Sequence, residues 1–298
     1  EALCVELMRF GGGWILDVDI RAFFDTISHV HLRSFLDQRV RDGVIRRVGD
    51  KWLTAGVLEK GHLTRPEAGT PQGGVISPLL ANIYLHEVLD TWFESVVKPR
   101  LRGQAFLVRY ADDFVIVLER EDDARRVLDV LAKRFGKYGL TLHPEKTRLV
   151  PFRRPGGKAE GPGASAPGTF DLLGFTHYWA RSLKGRWVVK QKTARKRLSR
   201  ALKAVSDWLR AHRHWPVCMQ QSHLAAKLRG HYGYYGITGN SIALAGFRYW
   251  VHRLWHKWLG RRSQRARLTW ADFNQLAKRH PLPPARAVHS VYARAANP

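Results

Sequence analysis

The chain has 298 residues, of which 45% are hydrophobic and 11% aromatic, so it is a globular chain with apolar mass for a sizeable core and not a disordered one. Its formal net charge of +25 is unevenly spread: residues 1–150 hold 22 Lys+Arg and 21 Asp+Glu, residues 151–298 hold 28 and 4. That division points to an acid-bearing part joined to a part that holds a polyanion.

In chain order, Trp14 to Ile20 is an apolar run read as a strand, and alternation puts Asp17 and Asp19 on one face, opposite Val18. Residues 31–47 read as one basic amphipathic helix with Leu32, Phe35, Leu36 and Val40. Gly69 to Gly74 is a turn-rich loop. It leads through Ser77-Pro78 into a helix with Leu79, Leu80, Ile83, Tyr84, Val88 and Leu89 at helical spacing. Phe106-Leu107-Val108 and Phe114 to Leu118 read as buried strands with Tyr110-Ala111-Asp112-Asp113 at the tip between them. Asp122 or Asp123 then caps a helix carrying Ala124, Val127, Leu128, Leu131 and Phe135, which Gly139 ends. Leu140-Thr141-Leu142 and Leu149-Val150 read as short strands. Pro155 to Gly168 reads as an exposed flexible loop, and Phe170–Trp179 with Trp187–Val189 as a hairpin. From Thr193 the pattern is helical, with one helix placing Phe247, Trp250, Val251, Leu254 and Trp258 on a shared spacing. The fold class is α+β first and mostly α afterwards.

Two adjacent carboxylates at a tight tip repel each other unless a cation joins them, and oxygen ligands of this kind suit Mg2+. With the acid at the end of the 14–20 strand they could build a two-metal site for phosphoryl or nucleotidyl transfer. An Asp-Asp pair alone at a hairpin tip is commonly an ordinary turn. Cys4 and Cys218 make neither a disulfide framework nor a zinc pair, which fits a reducing cytosol and a cytoplasmic location. No apolar run reaches the ~18 residues of a membrane helix. Glu1 in place of Met suggests a piece whose start lies upstream. His252 and His256 are spaced i, i+4 on a helix, a spacing that permits a metal, but no third ligand is evident, so an RNA-facing or aromatic-stacking role is favoured over zinc. His212-Arg213-His214 reads as surface.

The order of these motifs resembles the reverse transcriptases (maturases) encoded by group II introns. Asp19 to Asp25 resembles the first palm motif, Gly69 to Leu79 the loop-helix motif, and Tyr110 to Asp113 the polymerase box. Leu140 to Thr147 resembles a fourth segment, Leu173-Gly174-Phe175 the primer grip, and His231 to Gly236 with the aromatic-basic helices after it the thumb, or domain X. The resemblance implies a polymerase-type palm, an antiparallel sheet with helices, over residues 1–188 with its N-terminal fingers largely missing, followed by an α-helical, strongly basic thumb over 189–298. It implies an RNA-directed DNA polymerase that copies intron RNA and assists splicing. Its partners would be group II intron RNA, a DNA primer or target and deoxynucleoside triphosphates, with no membrane. It also implies two Mg2+ ions, or Mn2+, on the catalytic residues Asp19, Asp112 and Asp113 and the backbone carbonyl of Ile20. Phe24 would exclude a ribose 2′-OH, with Phe23 a core residue. Gln72 would touch the incoming nucleotide or template, where a turn-stabilising amide is the alternative. Lys146 would neutralise or protonate the leaving pyrophosphate, where a plain surface lysine is the alternative. The His-Asn-His endonuclease domain of such proteins is not expected here, and a chain without fingers is expected to polymerise poorly. Arg195, Lys196, Arg197, Tyr234, Tyr235, Arg261, Arg262 and Arg265 are the candidate nucleic-acid contacts. Two other readings stay open: an RNA-binding splicing cofactor without chemistry, and a reverse transcriptase from outside introns.

Overall fold

The computed structural model describes residues 2–54, 57–59, 62–64, 69–70, 74–156, 168–263 and 268–289. Gln72, Arg265 and most of the loop expected at 155–168 lie outside the described residues. The chain divides into two compact units, one of residues 2–172 and 178–189, the other of residues 173–177 and those from Lys190 on.

In the first unit, α1 (Ala2–Phe10) leads into β1 (Gly12–Val18), and α2 (Phe23–Thr26) is a single turn. The expected helix over 31–47 is two helices, α3 (His29–Arg39) and α4 (Gly43–Thr54). Val40 is extended, and the Asp42 carboxylate accepts from the amides of Val44 (2.7 Å) and Ile45 (3.1 Å), so an N-cap starts a second helix inside the amphipathic run. A short hairpin follows, β2 (Val57–Glu59) and β3 (His62–Thr64).

α5 (Ser77–Leu85) continues through π-helical turns at His86–Asp90 and Phe93–Val97 to a 3-10 turn ending at Arg100. Ala81, Leu85, Leu89, Phe93 and Val97 are all buried and recur every four residues. An α-helix would carry such a stripe round by about 40° per step, and the wider π turns bring it back to the core. Leu79, expected on the apolar face, is exposed because it lies outside the arc formed by this stripe and the adjoining Leu80, Tyr84 and Val88.

β4 (Ala105–Tyr110) and β5 (Asp113–Leu118) form the expected hairpin. α6 (Glu121–Lys137) follows, and neither Asp122 nor Asp123 caps it. Asp123 lies buried in its first turn and accepts from the amides of Arg102 and Gly103, while Asp122 pairs with Arg120. Gly139, at φ +72, ends the helix as expected, with the Leu140 amide bonded back to Phe135. β6 (Arg148–Arg153) completes a four-stranded sheet of order β4-β5-β1-β6, all neighbours antiparallel. The stretch 140–142 is not a strand but an isolated bridge between Leu142 and Ile20. One sheet face, Leu16, Val18, Phe114, Ile116 and Leu118, packs in one core with Leu80, Tyr84 and Val88 and with Val127, Leu131 and Phe135 of α6. Ile15, Val115 and Val117 of the opposite face are also fully buried.

β7 (Phe170–Leu172), β8 (Phe175–Arg181) and β9 (Trp187–Thr193) form a second sheet in that order. Leu173 and Gly174, both at positive φ, make the tight turn between β7 and β8.

In the second unit, α7 (Arg195–Ala211), α8 (Val217–Tyr235), α9 (Ser241–Leu259) and α10 (Trp270–Arg279) enclose a core of Val205, Leu209, Leu224, Leu228, Leu244, Phe247, Val251, Trp255, Leu259 and Phe273. Trp250, expected in the core, is 49% exposed, and Trp255 is fully buried in its place. The Trp255 indole N–H donates to Gln220 Oε1 at 2.8 Å. The same Gln220 amide donates to the carbonyls of His212, Arg213 and Trp215. His212 is not a free surface residue, since its ring stacks on Trp208 at 4.6 Å.

Candidate active site

The acids are placed by strand register. β1 pairs with β5 from Trp14 opposite Leu118 to Val18 opposite Phe114. Continuing that register one step sets Asp19 opposite Asp113. Alternation then puts Asp17, Asp19, Val115 and Asp113 on one sheet face, the one turned away from α6. Asp112 occupies the two-residue turn between Tyr110 and Asp113 with Ala111, whose φ of 54° is left-handed. A non-glycine residue there costs roughly 1–2 kcal/mol.

The pairing of Ile20 with Leu142 uses the bonds Arg21 N–H to Thr141 O and His143 N–H to Asp19 O, both 2.8 Å. These belong to the residues on either side, so the N–H and C=O of Ile20 point away from Leu142.

Cations sit on this face as well. Lys146 Nζ lies 3.1 and 3.3 Å from the two carboxylate oxygens of Asp19. The Arg148 guanidinium donates to Asp17 Oδ2 at 2.7 Å. Burial, aided by the carboxylates of Asp171 and Asp113, raises the Asp17 pKa, and Arg148 opposes the shift. The Lys146–Asp19 pair is exposed and contributes at most about 1 kcal/mol. Such a contact is easily given up.

The donors are all hard oxygens, which suits Mg2+. Backbone placement brings Asp19 and Asp113 to one strand end. Among the described residues, however, no group of three or more His, Cys, Asp or Glu side chains is close enough to hold a metal ion. Asp19 is turned to Lys146 instead. The residues fit the ions in chemistry and in backbone position, while the Asp19 carboxylate is held by Lys146.

Phe23 is a core residue, whereas Phe24 is half-buried beside it, with ring centroids 5.4 Å apart. The loop after β3 is pinned to this corner: Thr70 N–H donates to Phe24 O and Gly69 N–H to Ile27 O, both 2.7 Å. His29 Nε2 lies 2.6 Å from Gly69 O.

In the second unit, Arg195, Lys196 and Arg197 are exposed in the first turn of α7, which carries no acid. Tyr234 is half-exposed and stacks on Phe175 (5.9 Å), and Tyr235 meets the same ring edge-on. Arg261 is exposed over the Trp258 ring. Arg262 donates to the carbonyls of Arg213 and Trp215, both at 2.5 Å, and so braces the α7–α8 turn. His256 stacks on Trp270 (3.9 Å), and His252 meets Phe273 edge-on.

Sequence reasoning missed Arg109. Its guanidinium chelates Asp90 and also reaches Asn82 and the Ala111 carbonyl. The available signal was one arginine inside the apolar strand that enters the tip.

The profile of the family described as "Reverse transcriptase (RNA-dependent DNA polymerase)" matches residues 10–177. The group II intron-encoded protein LtrA of Lactococcus lactis subsp. cremoris is 45% identical over 137 residues, covering 42% of this chain and 23% of LtrA. The putative COX1/OXI3 intron 1 protein of Saccharomyces cerevisiae is 30% identical over 194 residues, covering 49% of this chain and 23% of that protein. The chain thus spans about a quarter of the length of these relatives. The structure of apo telomerase from Candida tropicalis aligns at 12% identity with a TM-score of 0.48, covering 93% of this chain and 52% of that one, a likeness too loose to argue from.

Proposed function

The chain belongs to the reverse transcriptase (RNA-dependent DNA polymerase) family, and from that membership we propose that it is the RNA-directed DNA polymerase of a group II intron. In this reading it extends a DNA primer on intron RNA with deoxynucleoside triphosphates, and also binds that RNA during splicing. The observation that carries the reading is the register that sets Asp19 opposite Asp113 with Asp112 at the adjoining turn. Asp19, Asp112, Asp113 and the Ile20 carbonyl would hold two Mg2+ ions, or Mn2+. When bound, such ions activate an attacking oxygen and steady a leaving one.

The chain's own residues do the rest. Phe24 walls the sugar position, where a rigid ring leaves no room for a 2′-OH. Gln72 contacts the incoming nucleotide or template. Lys146 moves from Asp19 to the leaving pyrophosphate, within reach because its present partner is a weak surface one. Arg195, Lys196, Arg197, Arg261 and Arg265 contact phosphates, and Tyr234 and Tyr235 lie beside the nucleic acid. The proposed compartment is cytoplasmic; no described helix is long and apolar enough to cross a membrane.

A reading without chemistry, an RNA-binding splicing cofactor, is favoured by one observation, the pairing of Asp19 with Lys146 in place of a gathered acid set. Asp112→Ala separates the two. Primer extension should fall to background while RNA affinity and splicing assistance stay near wild type. Extension unchanged by Asp112→Ala, with splicing assistance intact, would decide for the cofactor.

A further inference from the structure

We propose that Arg109 is the positioning residue of the Ala111–Asp113 turn, anchored by Asp90 at the end of a π-helical turn. The proposal rests on the polymerase reading only for its effect on synthesis, not for its structural content.

The Arg109 side chain is 13% exposed and its partner Asp90 26%. Nε donates to Asp90 Oδ1 at 2.8 Å and one terminal nitrogen to Oδ2 at 2.6 Å. The other terminal nitrogen donates to Asn82 Oδ1 and to Ala111 O, both at 2.9 Å. One planar guanidinium thus ties α5, the π-helical turn and the hairpin tip together. Ala111 is the tip residue held in left-handed backbone, and its carbonyl is the one Arg109 grips. A strained conformation persists only where its surroundings over-determine it. The peptide joining that carbonyl to Asp112 sets where the Asp112 side chain starts.

The π turn supplies the other end. It closes on Asp90, and such π turns are frequent at functional sites. Asp90 also has His86 Nδ1 at 3.5 Å, and His86 lines a pocket of about 330 Å³ with Arg39, Asn82, Ile83, Glu87 and Arg109. Lysine can hold the charge beside Asp90. It cannot chelate both carboxylate oxygens and reach Asn82 and Ala111 as well.

The test is Arg109→Lys, with Arg125→Lys as control, because Arg125 makes a like contact to Glu121 on an exposed surface. Hydrogen exchange is followed at the amides of residues 111–114, beside thermal unfolding and primer-extension kinetics. A positioning role predicts about tenfold faster exchange at the turn, with an unfolding temperature lowered by no more than that tenfold loss accounts for. It predicts kcat lower by about 100-fold at an unchanged KM for primer-template. Turn exchange and kcat both as in wild type would overturn the proposal. So would faster exchange throughout the unit with an unfolding temperature lowered beyond what the turn accounts for, since Arg109 would then be only structural. If Asp112→Ala leaves extension unchanged yet the turn loosens in Arg109→Lys, the polymerase reading fails and the positioning role stands.

Discussion

Gly12 and Gly13 show how strictly single positions are set around the candidate site. Both lie in β1 at positive φ, +84° and +156°. A Cβ at Gly12 would be driven into the carbonyl oxygen of Phe152, and one at Gly13 into that of Leu118. Gly11, also at positive φ (+77°), has nothing within 4 Å of its would-be Cβ. Gly12→Ala should therefore cost about 2–3 kcal/mol, and Gly11→Ala only about 1 kcal/mol. Urea unfolding measures both; equal costs would show that backbone strain alone acts here. The same β1 frame determines which charges meet. The acids 19, 112 and 113 could be proposed from the sequence because their motifs are local. Lys146 and Arg148 could not be assigned to Asp19 and Asp17, because those pairs, 127 and 131 residues apart, exist only once the chain from Leu142 into β6 lies beside β1 and its extension.

Among elements, the hairpin was legible from its two apolar runs and α6 from its helical period. What periodicity could not show was a choice between equivalent side chains. Trp250 and Trp255 weigh alike in an apolar count, yet the buried stripe of α9 is Leu244, Phe247, Val251, Trp255 and Leu259. Gln220, on α8, decides it by accepting the indole N–H, without which a buried tryptophan loses a hydrogen bond. Another α8–α9 contact carries a pH dependence. His231 stacks on Phe247 with centroids 3.9 Å apart, and burial pushes its pKa down to about 4 from the ordinary 6.5. Unfolded chains bind that proton between pH 6.5 and about 4 while the folded chain does not. Stability due to this group is thus fully present above pH 6.5 and is lost as the pH falls towards 4. Thermal unfolding followed by circular dichroism should show the decline. His231→Phe keeps a ring against Phe247 and should flatten it across this window; an unchanged slope would move the effect to another group.

For the whole molecule, the decisive quantity is the excess of 28 Lys+Arg over 4 Asp+Glu in residues 151–298. Self-repulsion of that size weakens a folded unit unless a polyanion offsets it, and RNA binding would release counterions in proportion to the phosphates contacted. The cations are not equivalent, however. Arg195, Lys196 and Arg197 project from the first turn of α7, where the helix dipole and their mutual repulsion both oppose them. Arg262 is committed to two backbone carbonyls, and its burial lowers its pKa. Replacing all three α7 cations with Ala should make the slope of log affinity against log salt shallower by about 2, at roughly 0.7 per phosphate contact on single-stranded RNA. Arg262→Ala should lower the unfolding temperature, because Gln220 alone would then hold the Arg213 and Trp215 carbonyls, and leave the salt slope unchanged. Filter-binding titrations from 50 to 200 mM salt would measure both. A slope insensitive to the α7 substitutions, or one altered by Arg262→Ala with the fold intact, would place the RNA on a different face of the basic unit.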